Sequence, residues 1–478
     1  MTTNRKVLAV DGDGIGPEIL QATRLLFTAA QVPVDLENPN RLVIGIEALK
    51  RNLDPLSATF LDTFKKYGVA LKPPYETPKG NLSMKSINVA WRVAGDLYAN
   101  KRPVKSIPGI SVPRACNDDL IIIYEHDDLL QQQELTVGKT ELTTTFPMEE
   151  ASYLRAIERA IAAAQRSGKT IIHLIHKANI VKPFEMLSRQ AETMQKNFPT
   201  LTFKTMIIDD FAHQMIKNPT QFEIVVIPAQ FGSIGAGLQD GLQSNRGFYT
   251  DVNIHLTREN SEDVYANTYA YNKEETTARV TFTLSAHGYD RIIKSAIDDA
   301  KKRGNKTVTF VYDDVFDAYR KGAKHCQEFA ETYNPSITFN TIHVRDYIKA
   351  VIQNPSQFIE VVTTNMLGDI LSDLHAGLIG GLGLVGSANI GDHYAMFEAV
   401  HGTAPNIAGA GIANPTGLIM ASIMMLHHLG LDDYAETIEN ALLTTLANKE
   451  NHTGDLGGKK NTNEFINAVI SNLEPVYA

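Results

Sequence analysis

"YLRAIERAIAAAQRSGKTIIHLIHK" (residues 153–177) is answered later in the chain by "YDRIIKSAIDDAKKRGNKTVTFVYD" (residues 289–313), and that echo decides how the protein is built. Each version has apolar residues at helical spacing, then a glycine, then a short β-branched run, which predicts a helix followed by a buried strand. Two further echoes flank it in the same order. "DLIIIYEHDDLLQQ" (119–132) matches "NIHLTRENSEDVYA" (253–266), and "KNPTQFEIVVIPAQFGSIGAGL" (217–238) matches "QNPSQFIEVVTTNMLGDILSDL" (353–374). Three echoes in one order indicate a tandem duplication. Its period, on the order of 130 residues, is far too long for a solenoid. Copy one is expected over 104–247 and copy two over 248–385, with 1–103 and 386–478 forming a larger domain around them. Strand-like and helix-like runs alternate throughout, the pattern of a largely parallel α/β architecture.

Composition narrows the class. The chain has 478 residues, 43% hydrophobic and 21% charged, as an ordinary globular protein does. Its net charge of −9 argues against a nucleic-acid surface, while leaving room for a local basic pocket. No apolar run reaches the length of a membrane span. Two cysteines, Cys116 and Cys326, give no disulfide framework. The opening "MTTNRKVLAVDGDG" goes straight into a strand-like run. The expectation from these features is a cytoplasmic enzyme with a small-molecule substrate and neither nucleic-acid nor membrane partners.

Several stretches can carry chemistry. "NMLGDILSDL" places Asp369 and Asp373 four apart on a helical pattern, so both carboxylates share a face and repel unless a cation sits between them. Hard oxygen ligands suit Mg²⁺ or Mn²⁺; the bland alternative is a solvated acidic face. "SMKSINVAWR" and "LYANKRP" present Ser86, Asn88, Arg92 and Arg102 close together, and "TRENSED" adds Arg258, with Tyr265 just beyond. Guanidinium groups pair bidentately with carboxylates, so this set would suit a polycarboxylate. "DGDGIGPE" (11–18) has the spacing G-x-G-x-G followed by Pro17 and does not complete a dinucleotide fingerprint. "FEAVHGTAPNIAGAGIANP" (397–415) is a better nucleotide loop, since glycines beside His401 permit close approach of a phosphate or adenine.

Taken together, "DGDGIGPEI", "SINVAWR", "LYANKRP", "HKANIVK", "RENSEDVYA", "NMLGDILSD", "HGTAPNIAG…ANP" and "TGDLGG" resemble the motifs of the isocitrate/isopropylmalate dehydrogenase family of β-decarboxylating dehydrogenases, in family order and over nearly the whole chain. The resemblance implies oxidation of a 2-hydroxy acid by NAD(P)⁺ followed by decarboxylation. It also implies an active site shared between two subunits. One subunit supplies the residues matching Ser86, Asn88, Arg92, Arg102, Arg258, Tyr265, Asp369 and Asp373, and the other supplies those matching Lys177 and Asp209. Catalysis would fall to Lys177, Tyr265 and Asp209, and the metal to Asp209, Asp369 and Asp373. The cofactor would contact Thr77, Glu398, His401, Gly402, Thr403, Ala404, Pro405, Asn406, Ile407 and Asn414. A bound metal and nearby arginines would lower the pKa of Lys177.

The duplication splits this set. Copy one keeps Lys177 and Asp209 but has Tyr124, Gln131, Ser233 and Gly237 where copy two has Arg258, Tyr265, Asp369 and Asp373. Copy two has Asp314 and Arg345 where copy one has Lys177 and Asp209. Decay of one copy would leave the other complete, and neither is. The expected architecture is therefore an internal pseudo-dimer with one composite site per chain, acting as a monomer or homodimer. Ser86 and Asn88 look like the isocitrate branch, where polar groups meet a third carboxylate. 3-Isopropylmalate, homoisocitrate and tartrate are the alternative substrates, and a non-catalytic regulatory subunit is the alternative from another class. Asn406 and Ile407 offer no cation to a 2′-phosphate, and "TGDLGG" around Asp455 looks NAD-type, so NAD is expected, with NADP possible.

Overall fold

The computed structural model describes residues 4–76, 87–114, 117, 119–125, 127–242 and 247–474. The chain divides into two compact units, Met1–Ser111 with Ile379–Ala478, and Val112–Leu378. Among the described residues, no helix is long and apolar enough to cross a membrane.

The second unit contains both copies. Helix Glu150–Ser167 buries Tyr153, Ala156, Ile157, Ala160, Ile161 and Ala164, a stripe at three- and four-residue spacing, and ends at Gly168 in the left-handed conformation. Its counterpart Ala286–Lys302 buries Tyr289, Ile292, Ile293, Ala296, Ile297 and Ala300, and the Ser285 hydroxyl caps its start. The strands repeat as well. Copy one orders Thr202–Ile207, Ile171–His176, Ile224–Ile227 and Ile121–Tyr124 side by side, all parallel. Copy two orders Thr338–His343, Thr307–Tyr312, Glu360–Thr363 and Asn253–Glu259 in the same way.

The copies are joined as a two-fold dimer would be. Strands Glu141–Glu149 and Thr277–Ser285 pair antiparallel with Thr145 opposite Thr281, so equivalent residues meet at the centre of the ladder. Their hydroxyls hydrogen-bond at 2.8 Å, and Thr143 meets Thr283 at 3.0 Å. Helix Ile208–Lys217 of copy one packs on Asn365–Leu378 of copy two, and Gly232–Leu242 of copy one packs on Val344–Gln353 of copy two. A Cβ on Gly237 would stand 2.8 Å from the Arg345 carbonyl oxygen, so the second helix pair approaches closely where copy one has lost its carboxylate. This is the internal pseudo-dimer.

The first unit carries a sheet ordered Ala99–Lys105, Gly386–Ile390, Ala395–Ala399, Val69–Lys72, Arg5–Leu8 and Val34–Glu37. Trp91 lies against Phe60 and Phe64 at 4.6 and 5.5 Å between ring centroids, in a core with Leu8, Val10 and Ile44. That anchor fixes helix Ile87–Ala94, which carries Asn88 and Arg92.

Candidate active site

In the second unit, Lys177 follows strand Ile171–His176 and is fully buried. Its Nζ donates to Asp209 Oδ1 and to Asp369 Oδ2, each at 2.7 Å. Asp209 opens helix Ile208–Lys217 in copy one, and Asp369 belongs to helix Asn365–Leu378 in copy two. The cluster is therefore assembled from both copies of one chain. Arg258, also buried, donates through Nε and Nη2 to Asn365 Oδ1 at 3.0 and 2.7 Å, and through Nη1 to Asp369 Oδ1. The Tyr265 hydroxyl donates to Asp369 Oδ2. These contacts explain three residues of "NMLGD". Asn365 anchors the guanidinium, Gly368 leaves room for the Arg258 stem, whose Cγ stands 2.5 Å from where a Cβ would be, and Asp369 receives three donors.

Electrostatics follow from burial. Desolvation alone would depress the Lys177 ammonium, but Asp209 and Asp369 outweigh it and push its pKa well above the ordinary value. The lowered pKa expected from the sequence is thus not what this arrangement gives, because both carboxylates are in direct contact with the amine. Desolvation raises the Asp209 carboxyl, with Lys177 opposing. Burial and then Asp369 push the Tyr265 phenol up.

Asp209 and Asp369 already share a cation, the lysine, and the donor set with Asp373 is all carboxylate oxygen, so it fits a hard divalent ion. Asp373 stands one turn beyond Asp369, its carboxylate accepting from Ser372 at 3.4 Å. Among the described residues, these three do not bring ligand atoms within 4.8 Å of one another; Asp313, Asp314 and His343 do.

The pseudo-symmetric position in the same unit is built otherwise. Arg345 turns to Asp240 at 2.9 Å, Ser233 donates to Asp313 at 3.2 Å, and the Tyr124 hydroxyl is buried without a partner among the described residues. Gln131 is exposed.

The first unit holds a second group of predicted residues around a cavity of about 140 Å³ lined by Asn88, Arg92, Arg102, Glu398, His401 and Gly402. Glu398 accepts from Arg92 Nη2 at 2.8 Å, from Asn389 Nδ2 at 2.7 Å and from Lys72 Nζ at 2.5 Å. Burial pushes the Glu398 carboxyl up, and Lys72 and Arg92 more than reverse that, holding it well below the carboxylate range. Lys72, Arg92 and Arg102 against a single carboxylate leave the cavity net positive, as an anion site requires. Lys72 escapes the sequence reading; the signal available is a lysine at the carboxyl end of the apolar run "GVALK", where α/β sheets place their sites.

Beside the cavity, among the described residues, His401 Nε2 is buried with no hydrogen-bond partner, and nothing lies within 4 Å of a Cβ built on Gly402. An orphaned ring nitrogen next to open space fits a nucleotide. The "DGDGIGPE" loop braces this segment. Ile15 N donates to the Thr403 carbonyl at 2.9 Å, and Glu18 accepts from Gly411 N at 3.0 Å. Ala404 takes a positive φ of 41°, and Pro405–Ile407 form one turn with Asn406 exposed. Asn414, just before helix Thr416–His428, accepts from Thr416 N and donates to Asp455, each at 3.0 Å. Thr77 and Ser86 lie outside the described residues.

The isocitrate/isopropylmalate dehydrogenase family model matches twice, over residues 6–244 and 238–469. The chain is 40% identical to a regulatory subunit of the mitochondrial NAD isocitrate dehydrogenase of Dictyostelium discoideum, covering 98% of this chain and 92% of that protein. It is 29% identical to catalytic subunit 5 of the mitochondrial NAD isocitrate dehydrogenase of Arabidopsis thaliana, covering 97% and 87%. The solved isocitrate dehydrogenase of Methylococcus capsulatus is similar with a TM-score of 0.65 at 27% identity, covering 98% of this chain and 99% of that one. The relatives named as mitochondrial overturn the expected cytoplasmic location. Scarce cysteines report a reducing environment, which does not distinguish one reducing compartment from another.

Proposed function

Because the chain belongs to the isocitrate/isopropylmalate dehydrogenase family, we propose that it is a catalytic isocitrate dehydrogenase, converting isocitrate to 2-oxoglutarate and carbon dioxide with reduction of NAD⁺. The observation that carries this reading is the cluster of Lys177, Asp209, Arg258, Tyr265 and Asp369, drawn from both copies, each of which alone lacks part of it. Arg92, Arg102 and Arg258 hold the substrate carboxylates, and Ser86 with Asn88 read its distinguishing end. Lys177 relays the proton of the C2 hydroxyl, and Tyr265 delivers a proton to the enol carbon after decarboxylation. Asp209, Asp369 and Asp373 would hold Mg²⁺ or Mn²⁺, which supplies Lewis-acid polarisation at the C2 oxygen. The segment His401–Ile407, with Thr77, Glu398 and Asn414, would hold the nicotinamide cofactor, which would supply the hydride acceptor. A mitochondrial address follows from the named relatives.

A second reading is a regulatory subunit, favoured by the 40% identity to the Dictyostelium regulatory protein. One experiment separates them. Purified chain is given isocitrate and Mg²⁺ with NAD⁺ or NADP⁺, and then 3-isopropylmalate, while reduced cofactor is followed by absorbance. Reduction with isocitrate that stops on chelation is expected; inertness alone, with activity only alongside a catalytic partner, favours the regulatory role.

Two changes probe the cofactor. Gly14 has a φ of +59°, and a Cβ there would stand 2.0 Å from the Thr403 carbonyl oxygen. Gly14→Ala should therefore cost about 2–3 kcal/mol in stability and raise KM for NAD⁺ more than KM for isocitrate, measured by thermal denaturation and steady-state kinetics. Asn406→Lys combined with Ile407→Tyr should raise kcat/KM for NADP⁺ by roughly tenfold or more, since a charge-assisted contact to the 2′-phosphate would contribute about 1.5 kcal/mol.

A further inference from the structure

In the register of the two sheets, copy two carries Asp313 and Asp314 where copy one carries Lys177 and Ala178, and His343 where copy one carries Ile207. The fold brings these substitutions together at the ends of neighbouring strands Thr307–Tyr312 and Thr338–His343. Asp313, Asp314 and His343 each place a ligand atom within 4.8 Å of the other two. His343 Nε2 lies 3.1 Å from Asp314 Oδ1 and 3.5 Å from Asp313 Oδ1.

The Asp313 carboxylate is the telling group. It is fully buried. Its Oδ1 accepts from Asp314 N at 2.8 Å, from Val315 N at 3.2 Å and from the Ser233 hydroxyl of copy one at 3.2 Å. Its Oδ2 has no hydrogen-bond partner among the described residues. A buried carboxylate oxygen without a donor is costly, and a bound ion is one of the few arrangements that satisfies it. The guanidinium of Arg345, two residues beyond His343, is engaged elsewhere, by Asp240 at 2.9 Å.

We propose that Asp313, Asp314 and His343 form a second divalent-cation site, built on the copy-two counterpart of the Lys177 position. Two carboxylates and an imidazole are a donor set for a borderline ion such as Zn²⁺, with three protein ligands and an open position. The carboxylates of Asp209, Asp369 and Asp373 are all oxygen and suit Mg²⁺ or Mn²⁺, so the two sites are chemically distinguishable. Binding at His343 Nε2 moves the ring proton to Nδ1, which now accepts from Arg345 N at 3.3 Å, so the ion displaces a long capping contact at the start of helix Val344–Gln353.

This inference does not depend on catalysis, and its test uses no substrate. Zn²⁺ is titrated calorimetrically into the full chain in saturating Mg²⁺. The expected result is one Zn²⁺ per chain, weakened at least tenfold by His343→Ala and by Asp314→Asn and unchanged by Asp369→Asn. The Asp314 side chain is 58% exposed, so Asp314→Asn leaves the fold intact and decides the matter if the histidine variant folds poorly. No Zn²⁺ equivalent, or one that survives Asp314→Asn, overturns the proposal; so does one that disappears in Asp369→Asn.

Discussion

In a Lys177→Met chain, kcat with isocitrate should fall by roughly 10²–10⁴-fold, the usual worth of a positioned proton-transfer group. The same chain should lose stability in EDTA. Lys177 is fully buried between Asp209 and Asp369, and Asp209 is itself buried. Removing the ammonium leaves the buried Asp209 carboxylate without its counter-charge and facing an Asp369 that Arg258 alone still neutralises, which typically costs about 3–5 kcal/mol. The sign with pH is fixed. Without Lys177, the folded-state pKa of Asp209 rises further above its unfolded value of 3.8. The deficit is therefore absent at low pH, grows between the folded-state pKa of Asp209 in the parent and its higher value in the variant, and is fully present above that. Thermal unfolding of the variant and the parent across pH, with and without Mg²⁺, measures this. Mg²⁺ should narrow the gap, because a dication replaces the lost charge. A gap independent of both pH and Mg²⁺ would contradict the assignment of these carboxylates.

Asp369→Asn should be as damaging to turnover, for a different reason. Asp369 accepts from Lys177, Arg258 and Tyr265 at once. A carboxamide has one acceptor oxygen, and its NH₂ group would face an ammonium or a guanidinium. Lys177 and Arg258 are both buried and would then share too little negative charge, again at about 3–5 kcal/mol. The two variants part company on metal. Bound Mn²⁺, counted by electron paramagnetic resonance, should remain in Lys177→Met and be lost in Asp369→Asn. Equal Mn²⁺ binding in both would remove Asp369 from the metal site.

Most of this molecule is legible in its sequence because the duplication writes the fold twice. The echoed stripes at 153–164 and 289–300 mark the same helix in each copy, and a matched strand order follows in both sheets. The complementary losses mark the composite cluster, and Lys177 meets Asp369 across the copies as that logic requires. What stays hidden depends on contacts between segments remote in sequence. Glu398 can be named as a nucleotide residue, yet its role as counter-ion to Lys72 and Arg92 is visible only once strands Val69–Lys72 and Ala395–Ala399 lie side by side. The raised pKa of Lys177 likewise comes from carboxylates 32 and 192 positions away. In sequence Asp314 reads simply as a lysine lost; its meeting with His343 requires the pairing of two neighbouring strands. "DGDGIGPE" fails as a nucleotide fingerprint, and its contacts to Thr403 and Gly411 give it a bracing role that no pattern would assign.

The central claim is that one chain assembles one complete site from its own two copies. Mixing Lys177→Met with Asp369→Asn, after co-refolding or co-expression, tests it most directly, with isocitrate turnover read against the parent chain. If the site forms within each chain, every chain in the mixture lacks an essential group, and the mixture should be no more active than either variant alone. Recovery of about a quarter of the parent rate, the share expected from random pairing of complementary chains, would mean that copy one acts across a boundary between chains and that the internal pseudo-dimer is not the catalytic unit.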